Sequence, residues 1–470
     1  MSKTNLIDIS TKLIQEAYLA DNRPWVIGYS GGKDSSCVVQ LVWNALLGLK
    51  KDQLGKPIYI ITSDTLVETP AIEAHLLSSI EQIGEASAEQ GLPFQAHTVK
   101  PEISDTFWVN LIGKGYPAPY TNFRWCTDRL KIKPTTKFIQ DKVAEYGEVV
   151  ILLGARKSES TTRAQVMSNR KDIGIAMSRH NDLSNAYVFT PIEDWTAEDV
   201  WTYLINSQSP WGFNNRELVT MYRNAQSGEC PLVIDKSTPS CGGGRFGCWT
   251  CTVVQRDRSM ENMIDNGEDW MVPLLEFRDF LTSTQEPSTK EKYRQHRRKS
   301  GRVEHFERDG KTGLIWGPYT MESRKDFLKR LLDAQTQVRE NGPNPNVKLI
   351  QDEELIKIRQ LWIHDEGEWD DPLPQIYTDC TGETLDCAQG DFSGMGGIEK
   401  NLIRETAIEE GLPEGLLLEL FELEQRFEGM AKRSGIYNGI DKAMKKDWRT
   451  KEVVLEELKN INKREQENAS

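Results

Sequence analysis

The sequence predicts an α/β protein: a doubly wound, mostly parallel sheet followed by a helical C-terminal region. Three observations carry this expectation. Over roughly the first two hundred residues, short β-branched runs alternate with segments of helical period, the rhythm of strands joined by crossover helices. A glycine-rich turn joins the first strand to the first of those helices. Past residue 260 the strand signals give way to charged segments of helical period.

Residues 25–29 (WVIGY) read as a buried strand, and residues 34–47 then place Val38, Leu41, Val42, Ala45 and Leu46 at helical spacing. Residues 57–62 (PIYIIT) predict a second strand, 71–89 a helix and 94–99 a third strand. A helix follows over 136–146, a fourth strand over 148–153 (EVVILL) and a fifth over 187–190. Ligands of such sheets lie at the carboxyl ends of the strands. Residues 211–254 are rich in Gly, Pro, Asn and Cys with little periodicity, so something other than an apolar core is expected to hold them. Helices are predicted over 270–282, 322–340, 353–362, 397–429 and 442–464, with a Pro/Gly/Asp-rich break at 366–394. There is no internal repeat.

Composition narrows the function classes. A chain of 470 residues exceeds a single ordinary core. With 38% hydrophobic and 27% charged residues it is a folded chain rather than a disordered one. The first twenty residues lack the apolar core of a signal peptide, and runs such as 149–153 are too short to cross a bilayer, so a soluble cytoplasmic protein without a membrane partner is expected. The formal net charge of −13 argues against a protein that alone grips nucleic acid over a wide surface. If DNA is the substrate, a local basic patch or a partner must supply the attraction. Residues 290–302 hold Lys290, Lys292, Arg294, His296, Arg297, Arg298, Lys299 and Arg302, either such a patch or a solvated basic loop.

The first functional motif is Ser30-Gly31-Gly32-Lys33-Asp34-Ser35-Ser36, between the first strand and first helix. Two glycines let the backbone curl so that several N–H groups face one anion. The helix N-terminus adds partial positive charge, and Ser35 and Ser36 add hydroxyl donors. The gap between the glycines is too short for a Walker A loop. Asp64 and Arg156 fall just past the second and fourth strands, where ligands of such sheets sit. At residues 191–201, Thr196 or Asp194 is expected to cap a helix on which Val200, Trp201 and Leu204 pack.

Eight cysteines without an export signal are expected to be thiols rather than disulfides. Cys230, Cys241, Cys248 and Cys251 follow C-x10-C-x6-C-x2-C, and four thiolates in so short a span can hold zinc or a [4Fe–4S] cluster. Cys126 lies beside Arg124, Arg129 and Lys131, which are expected to depress its thiol pKa. It is either a persulfide carrier or an incidental thiol in a phosphate-binding basic segment. Cys37, on the first helix, is expected to be a core thiol. Cys380 and Cys387 receive no role.

The loop is similar to the SGGxDS signature of PP-loop ATP pyrophosphatases, which split ATP between the α and β phosphates. Ser63-Asp64-Thr65 with Glu68, Gly154-Ala155-Arg156 with Glu159, Ser160 and Arg163, and Pro191-Ile192-Glu193-Asp194-Trp195 resemble segments of phosphoadenylylsulfate (PAPS) reductases. Residues 105–119, 124–134, 209–235 and 239–254 resemble the DndC sulfurtransferase family of bacterial DNA phosphorothioate modification, a likeness that thins in the C-terminal third. The resemblance implies an adenine nucleotide α-hydrolase-like fold divided into a PP-loop domain (1–208), a Cys-rich iron–sulfur segment (209–260) and a helical region (261–470).

It further implies ATP with Mg²⁺ at Ser30, Gly31, Gly32, Lys33, Asp34, Ser35, Ser36, Asp64 and Arg156, with Lys33, Asp34 and Cys126 catalytic. A [4Fe–4S] cluster would sit on Cys230, Cys241, Cys248 and Cys251. The implied partners are DNA, a cysteine desulfurase and the other modification proteins. The alternatives are a PAPS or adenylylsulfate reductase and a non-catalytic cluster-bearing scaffold in a DNA-processing complex.

Overall fold

The computed structural model describes residues 3–159, 165, 177–225, 247–308, 311–386, 397–427 and 433–469. Two compact units are present, the first comprising residues 1–107 and 119–278, the second 108–118 and 279–470.

The first unit is built on a six-stranded sheet of order β3-β2-β1-β4-β6-β5. Its strands are β1 (Trp25–Gly28), β2 (Ile58–Ser63), β3 (Phe94–Val99), β4 (Val149–Leu152), β5 (Met177–Arg179) and β6 (Ala186–Phe189). Every pairing is parallel except β5 with β6, an antiparallel edge that the sequence pattern does not announce. Trp25 is in register with Ile58 on one side and Val150 on the other.

Successive side chains of a strand point to opposite faces, and the apolar runs supply residues for both. Trp25, Ile27, Ile58, Ile60, Val150 and Leu152 face one core, Val26, Tyr59, Ile61, Val149 and Ile151 the other. The first core is closed by α1 (Lys3–Leu19), α2 (Lys33–Leu47), α3 (Pro70–Gln90), α5 (Ala197–Asn206) and α6 (Asn215–Ala225). Ile139 of α4 (Lys133–Tyr146) closes the second. The sheet is therefore doubly wound, as expected. The chain steps outward from β1 to β3 and returns beside β1 as β4, which puts the topological switch between β1 and β4. Helix α5 begins at Thr196, whose hydroxyl accepts the Asp199 N–H while Asp199 returns the bond, a reciprocal cap. Helices α7 (Arg258–Asp265) and α8 (Val272–Ser283) follow the cysteine-bearing turn.

The second unit is mainly helical: α9 (Lys290–Tyr293), α10 (Met321–Asn341), α11 (Asp352–Glu366), α12 (Leu373–Thr381), α13 (Gly397–Glu409), α14 (Glu414–Phe427), α15 (Ile436–Met444) and α16 (Lys451–Ala469). An antiparallel hairpin of β7 (His305–Arg308) and β8 (Lys311–Leu314) joins them. Phe327, Leu328, Leu331 and Leu332 form the buried stripe of α10. Buried Arg324 donates to the carbonyls of Gly113 and Tyr319 and pairs with Glu366 at 3.0 Å. Trp362 closes α11 onto the same segment by donating to the Ile112 carbonyl. The single helix expected over 397–429 is two, divided at Gly411 (φ +67°), Leu412 and Pro413, because a left-handed residue followed by proline ends a helix. The break expected at 366–394 contains α12. No described helix is long and apolar enough to cross a membrane.

Candidate functional site

The described candidate site residues gather at the carboxyl edge of the parallel sheet. Ser30–Ser36 leaves β1 and turns into α2, with Gly31 at φ +70°, a conformation that favours glycine. The turn is tied to itself: the Ser30 N–H donates to Ser35 Oγ at 3.2 Å, Ser35 Oγ donates to the Gly32 carbonyl at 2.9 Å, and the Ser36 N–H reaches the same carbonyl. These bonds hold the first turn of α2 open toward the sheet edge. The aligned peptide dipoles there favour an anion.

Arg156, past the end of β4, crosses the switch point to this loop. It is 1% exposed, and its Nε donates to Asp34 Oδ1 at 2.7 Å while Lys33 Nζ sits 2.7 Å from Asp34 Oδ2. One carboxylate thus bridges two buried cations, and a second, Glu159, lies 3.7 Å from Arg156 Nε, so the cluster is close to charge-balanced. Arg156 is oriented by Ser158, whose hydroxyl donates to the Trp195 carbonyl. Gly154 touches the loop directly: a Cβ there would lie 2.8 Å from Asp34 C and 3.1 Å from Ser35 N. Ser160 and Arg163 lie outside the described residues.

One strand away, Asp64 at the end of β2 is 4% exposed. Its Oδ2 pairs with Lys100 at 2.9 Å and its Oδ1 accepts the Leu66 N–H at 2.9 Å. Leu66 adopts φ +63°, unusual for a branched residue. Thr65 donates through its N–H and hydroxyl to Glu68 Oε2. Burial raises the Glu68 pKa, partly offset by Lys131.

The thiols meet this edge. Glu68 and Cys248 form an antiparallel bridge, the Trp249 N–H donates to the Val67 carbonyl, and Cys248 Sγ lies 3.4 Å from Thr65 Oγ1. The Cys251 N–H closes the turn by donating to the Cys248 carbonyl. Buried Arg278 holds the downstream chain through the carbonyls of Cys251, Val254 and Gln255. Cys126 enters from another direction, immediately before a π-helical turn, Thr127–Ile132, a distortion frequent at functional sites.

The three thiols at this edge, Cys126, Cys248 and Cys251, are close enough to feel one another's charge. Burial, then Cys251, push the Cys126 thiol up to about 11, and Lys131 only partly offsets this. Burial likewise pushes Cys248 up to about 12, with Lys131 opposing and Glu68 and Cys126 adding. The depression of the Cys126 pKa expected from its basic neighbours is therefore reversed. Arg129 turns to Asp105 at 3.5 Å and Arg124 to the Thr121 carbonyl, which leaves Lys131 to oppose desolvation. Cys126 as a neighbour of Cys248 and Cys251 was not legible in the sequence, because 122 residues separate it from Cys248.

Thiolate donors suit zinc or iron–sulfur centres. Among the described residues, no group of three or more His, Cys, Asp or Glu is disposed to hold a metal ion. Cys230 and Cys241, half of the expected set, lie outside the described residues, so the fit to a cluster rests on the donor chemistry of Cys248 and Cys251. Cys37 is fully buried in the first core, and Cys380 lies on α12. Cys387 lies outside the described residues.

The basic stretch in the second unit is largely engaged internally. Arg294 donates to the carbonyls of Trp316 and Gly317, and Arg298 to that of Trp316. Arg297 donates to the Asp447 carbonyl and lies 4.6 Å from the Trp448 ring centroid, and His296 Nε2 contacts the Arg449 carbonyl. Lys299 and Arg302 are exposed.

An uncharacterized protein of Methanocaldococcus jannaschii is 27% identical over 198 residues, 42% of this chain. The chain spans 35% of that relative's length. Among solved structures, similarity extends to Candida glabrata FMN adenylyltransferase in complex with FAD and inorganic pyrophosphate (15% identity, 44% of this chain and 56% of that one, TM-score 0.28). It extends also to the NH3-dependent NAD synthetase of Campylobacter jejuni (16% identity, 48% and 84%, TM-score 0.28). A third is the U34-tRNA thiolase NcsA of Methanococcus maripaludis with its [4Fe-4S] cluster (11% identity, 60% and 79%, TM-score 0.28). Residues 24–253, which carry the loop, Asp64, Arg156 and the cysteine turn, match the phosphoadenosine phosphosulfate reductase domain family.

Proposed function

We propose that this protein is an ATP-dependent sulfurtransferase of DNA phosphorothioate modification. The observation that carries the reading is the placement of two chemistries on one edge. The Lys33–Asp34–Arg156 cluster follows β1 and β4, and Cys248 is bridged to the loop that follows β2, the neighbour of β1. A phosphate activated at the first station lies within a strand or two of the thiols at the second.

In this reading Ser30–Ser36 and Lys33 hold the pyrophosphate end of ATP with Mg²⁺, and Asp64 and Arg156 border the nucleotide. Neutralising the leaving group lowers the barrier at the α-phosphorus. A non-bridging oxygen of a DNA backbone phosphate attacks that phosphorus, the Pα–O–Pβ bond breaks and pyrophosphate leaves. The terminal sulfur of a persulfide, charged by a cysteine desulfurase and carried on Cys126, then attacks the DNA phosphorus and AMP departs. A thiol reductant cleaves the remaining S–S bond and leaves sulfur in the non-bridging position. Bound to Cys230, Cys241, Cys248 and Cys251, a [4Fe–4S] cluster supplies sulfur-handling chemistry. DNA contact is assigned chiefly to the other modification proteins, which fits the acidic chain and the internal use of its basic stretch.

Replacing Lys33 with Ala should abolish release of AMP and pyrophosphate without changing iron content; undiminished release contradicts the reading. Host DNA, digested with nucleases, should yield phosphorothioate-linked dinucleotides by mass spectrometry. They should vanish on deletion of the gene and return with the intact gene but not with Cys248→Ser. The family match favours a second reading, reduction of PAPS by a thiol. DNA without phosphorothioate together with sulfite release from PAPS would establish that reading instead.

A further inference from the structure

The N–H of Lys33, the first of α2, is taken by a side chain from outside the loop. It donates to the Tyr222 hydroxyl at 3.2 Å. The same hydroxyl lies 3.0 Å from where a Cβ on Gly32 would stand, and Lys33 Nζ is 5.9 Å from the ring centroid. Trp201 sets the ring from the other side, edge-on at 5.0 Å and 83°. The hydroxyl therefore occupies one of the donors that a phosphate at a helix N-terminus takes. A phosphate oxygen and a hydroxyl oxygen cannot both lie in line with one N–H at hydrogen-bond distance.

Helix α6, which carries Tyr222, is anchored at its start. Asn215 is 5% exposed and exchanges hydrogen bonds with Gln40 of α2, donating also to the carbonyls of Leu204 and Ser207. The Asn215 end is thus pinned through several bonds, whereas Tyr222 makes its contact near the far end.

We propose that Tyr222 is a positioning residue through which nucleotide phosphates act on helix α6. Phosphate takes the Lys33 N–H, the hydroxyl is displaced, and the Tyr222 end of α6 loosens about its Asn215 anchor. The proposal rests on the reading of Ser30–Ser36 as an ATP site. It adds a coupling that the reading does not require, in which helix α6 responds to occupancy of the loop at Ser30–Ser36.

The test uses the full chain with Mg²⁺ and α,β-methylene-ATP, an analogue that cannot be cleaved between the α and β phosphates. Hydrogen exchange over residues 215–225 should accelerate when the analogue binds. Tyr222→Phe keeps the ring against Trp201 but removes the hydroxyl that accepts from the Lys33 N–H. It should exchange faster without nucleotide, respond little to it, and bind the analogue about three- to tenfold tighter, the value of one competing hydrogen bond. Trp201→Phe, which loosens the ring without touching the loop, should move in the same direction more weakly and guards against a folding defect in the first variant. If the wild-type chain binds the analogue while exchange over 215–225 stays constant, or if Tyr222→Phe binds it no tighter, the coupling is refuted and the ATP site stands. If the wild-type chain binds no analogue, the ATP reading falls and the coupling with it.

Discussion

Gly154→Ala is the sharpest test of whether the phosphate loop depends on the strand beside it. A methyl group at residue 154 would lie 2.8 Å from Asp34 C, 2.9 Å from Asp34 O and 3.1 Å from Ser35 N. The first distance is about 0.6 Å inside ordinary carbon–carbon contact. All three atoms are backbone, so no side chain can rotate away. Either the loop retreats from β4 or the chain after β4 does, and the Asp34–Arg156 contact at 2.7 Å stretches in both cases.

Overpacking of this kind costs about 1–3 kcal/mol. The opposing loss of unfolded-chain freedom on going from Gly to Ala is smaller, about 0.4–1 kcal/mol. Because displacement of a reacting group by about 1 Å costs roughly a hundredfold in rate, a shift near half of that should lower kcat/KM for ATP about tenfold. The assay is AMP and pyrophosphate release with Mg²⁺–ATP beside urea unfolding, with Gly55→Ala, where a Cβ meets nothing within 4 Å, as control. Wild-type turnover in a stably folded Gly154→Ala protein would refute the argument that this backbone contact sets the loop.

Other outcomes follow from the same structure. Lys56 is buried against Tyr18 and Trp25, and burial lowers its pKa to about 8. The unfolded chain then binds the extra proton between about 8 and the ordinary 10.5, so this group's penalty on the native state shrinks as pH rises through that window. Lys56→Met should accordingly stabilise at pH 7, by roughly 1–3 kcal/mol, with the gain fading by about pH 10.5; a less stable variant in urea melts at pH 7 would contradict this. Arg278→Met strips a charged donor from three carbonyls and should cost about 3–5 kcal/mol, with faster alkylation of Cys248 and Cys251. Thr196→Ala should cost about 1 kcal/mol through loss of the α5 cap, and Thr196→Ser should restore most of it, both read by thermal unfolding.

Much of the sheet could be read in advance because its strands are buried on both faces. The runs at 25–29, 57–62 and 148–153 are almost wholly apolar, and residues 94–99 coincide with β3. The turn at residues 30–36 was legible for a related reason, since Gly-Gly between a strand and a helical run is a local signal. What escaped depends on distance along the chain. Arg156 meets Asp34 across 122 residues and Tyr222 meets Lys33 across 189, and no periodicity encodes such meetings. The direction of the Cys126 pKa was misjudged because three basic neighbours in sequence are visible, whereas the burial that outweighs them is not. Helix α1 escaped because its apolar stripe is diluted by polar residues. The break between α13 and α14 had its signal in Gly411-Leu412-Pro413, which a search for period alone passes over.

The bridge between Glu68 and Cys248 has a consequence for how this molecule would be damaged. Backbone pairing places the Cys248 Cα beside Glu68, and its thiol then lies 3.4 Å from Thr65 Oγ1. An oxygen added to that sulfur would press on the Thr65–Glu68 pair next to Asp64 or force the side chain into another rotamer. Under the proposed function, oxidative injury to this thiol would therefore register as impaired handling of phosphate, and the two failures would arrive together.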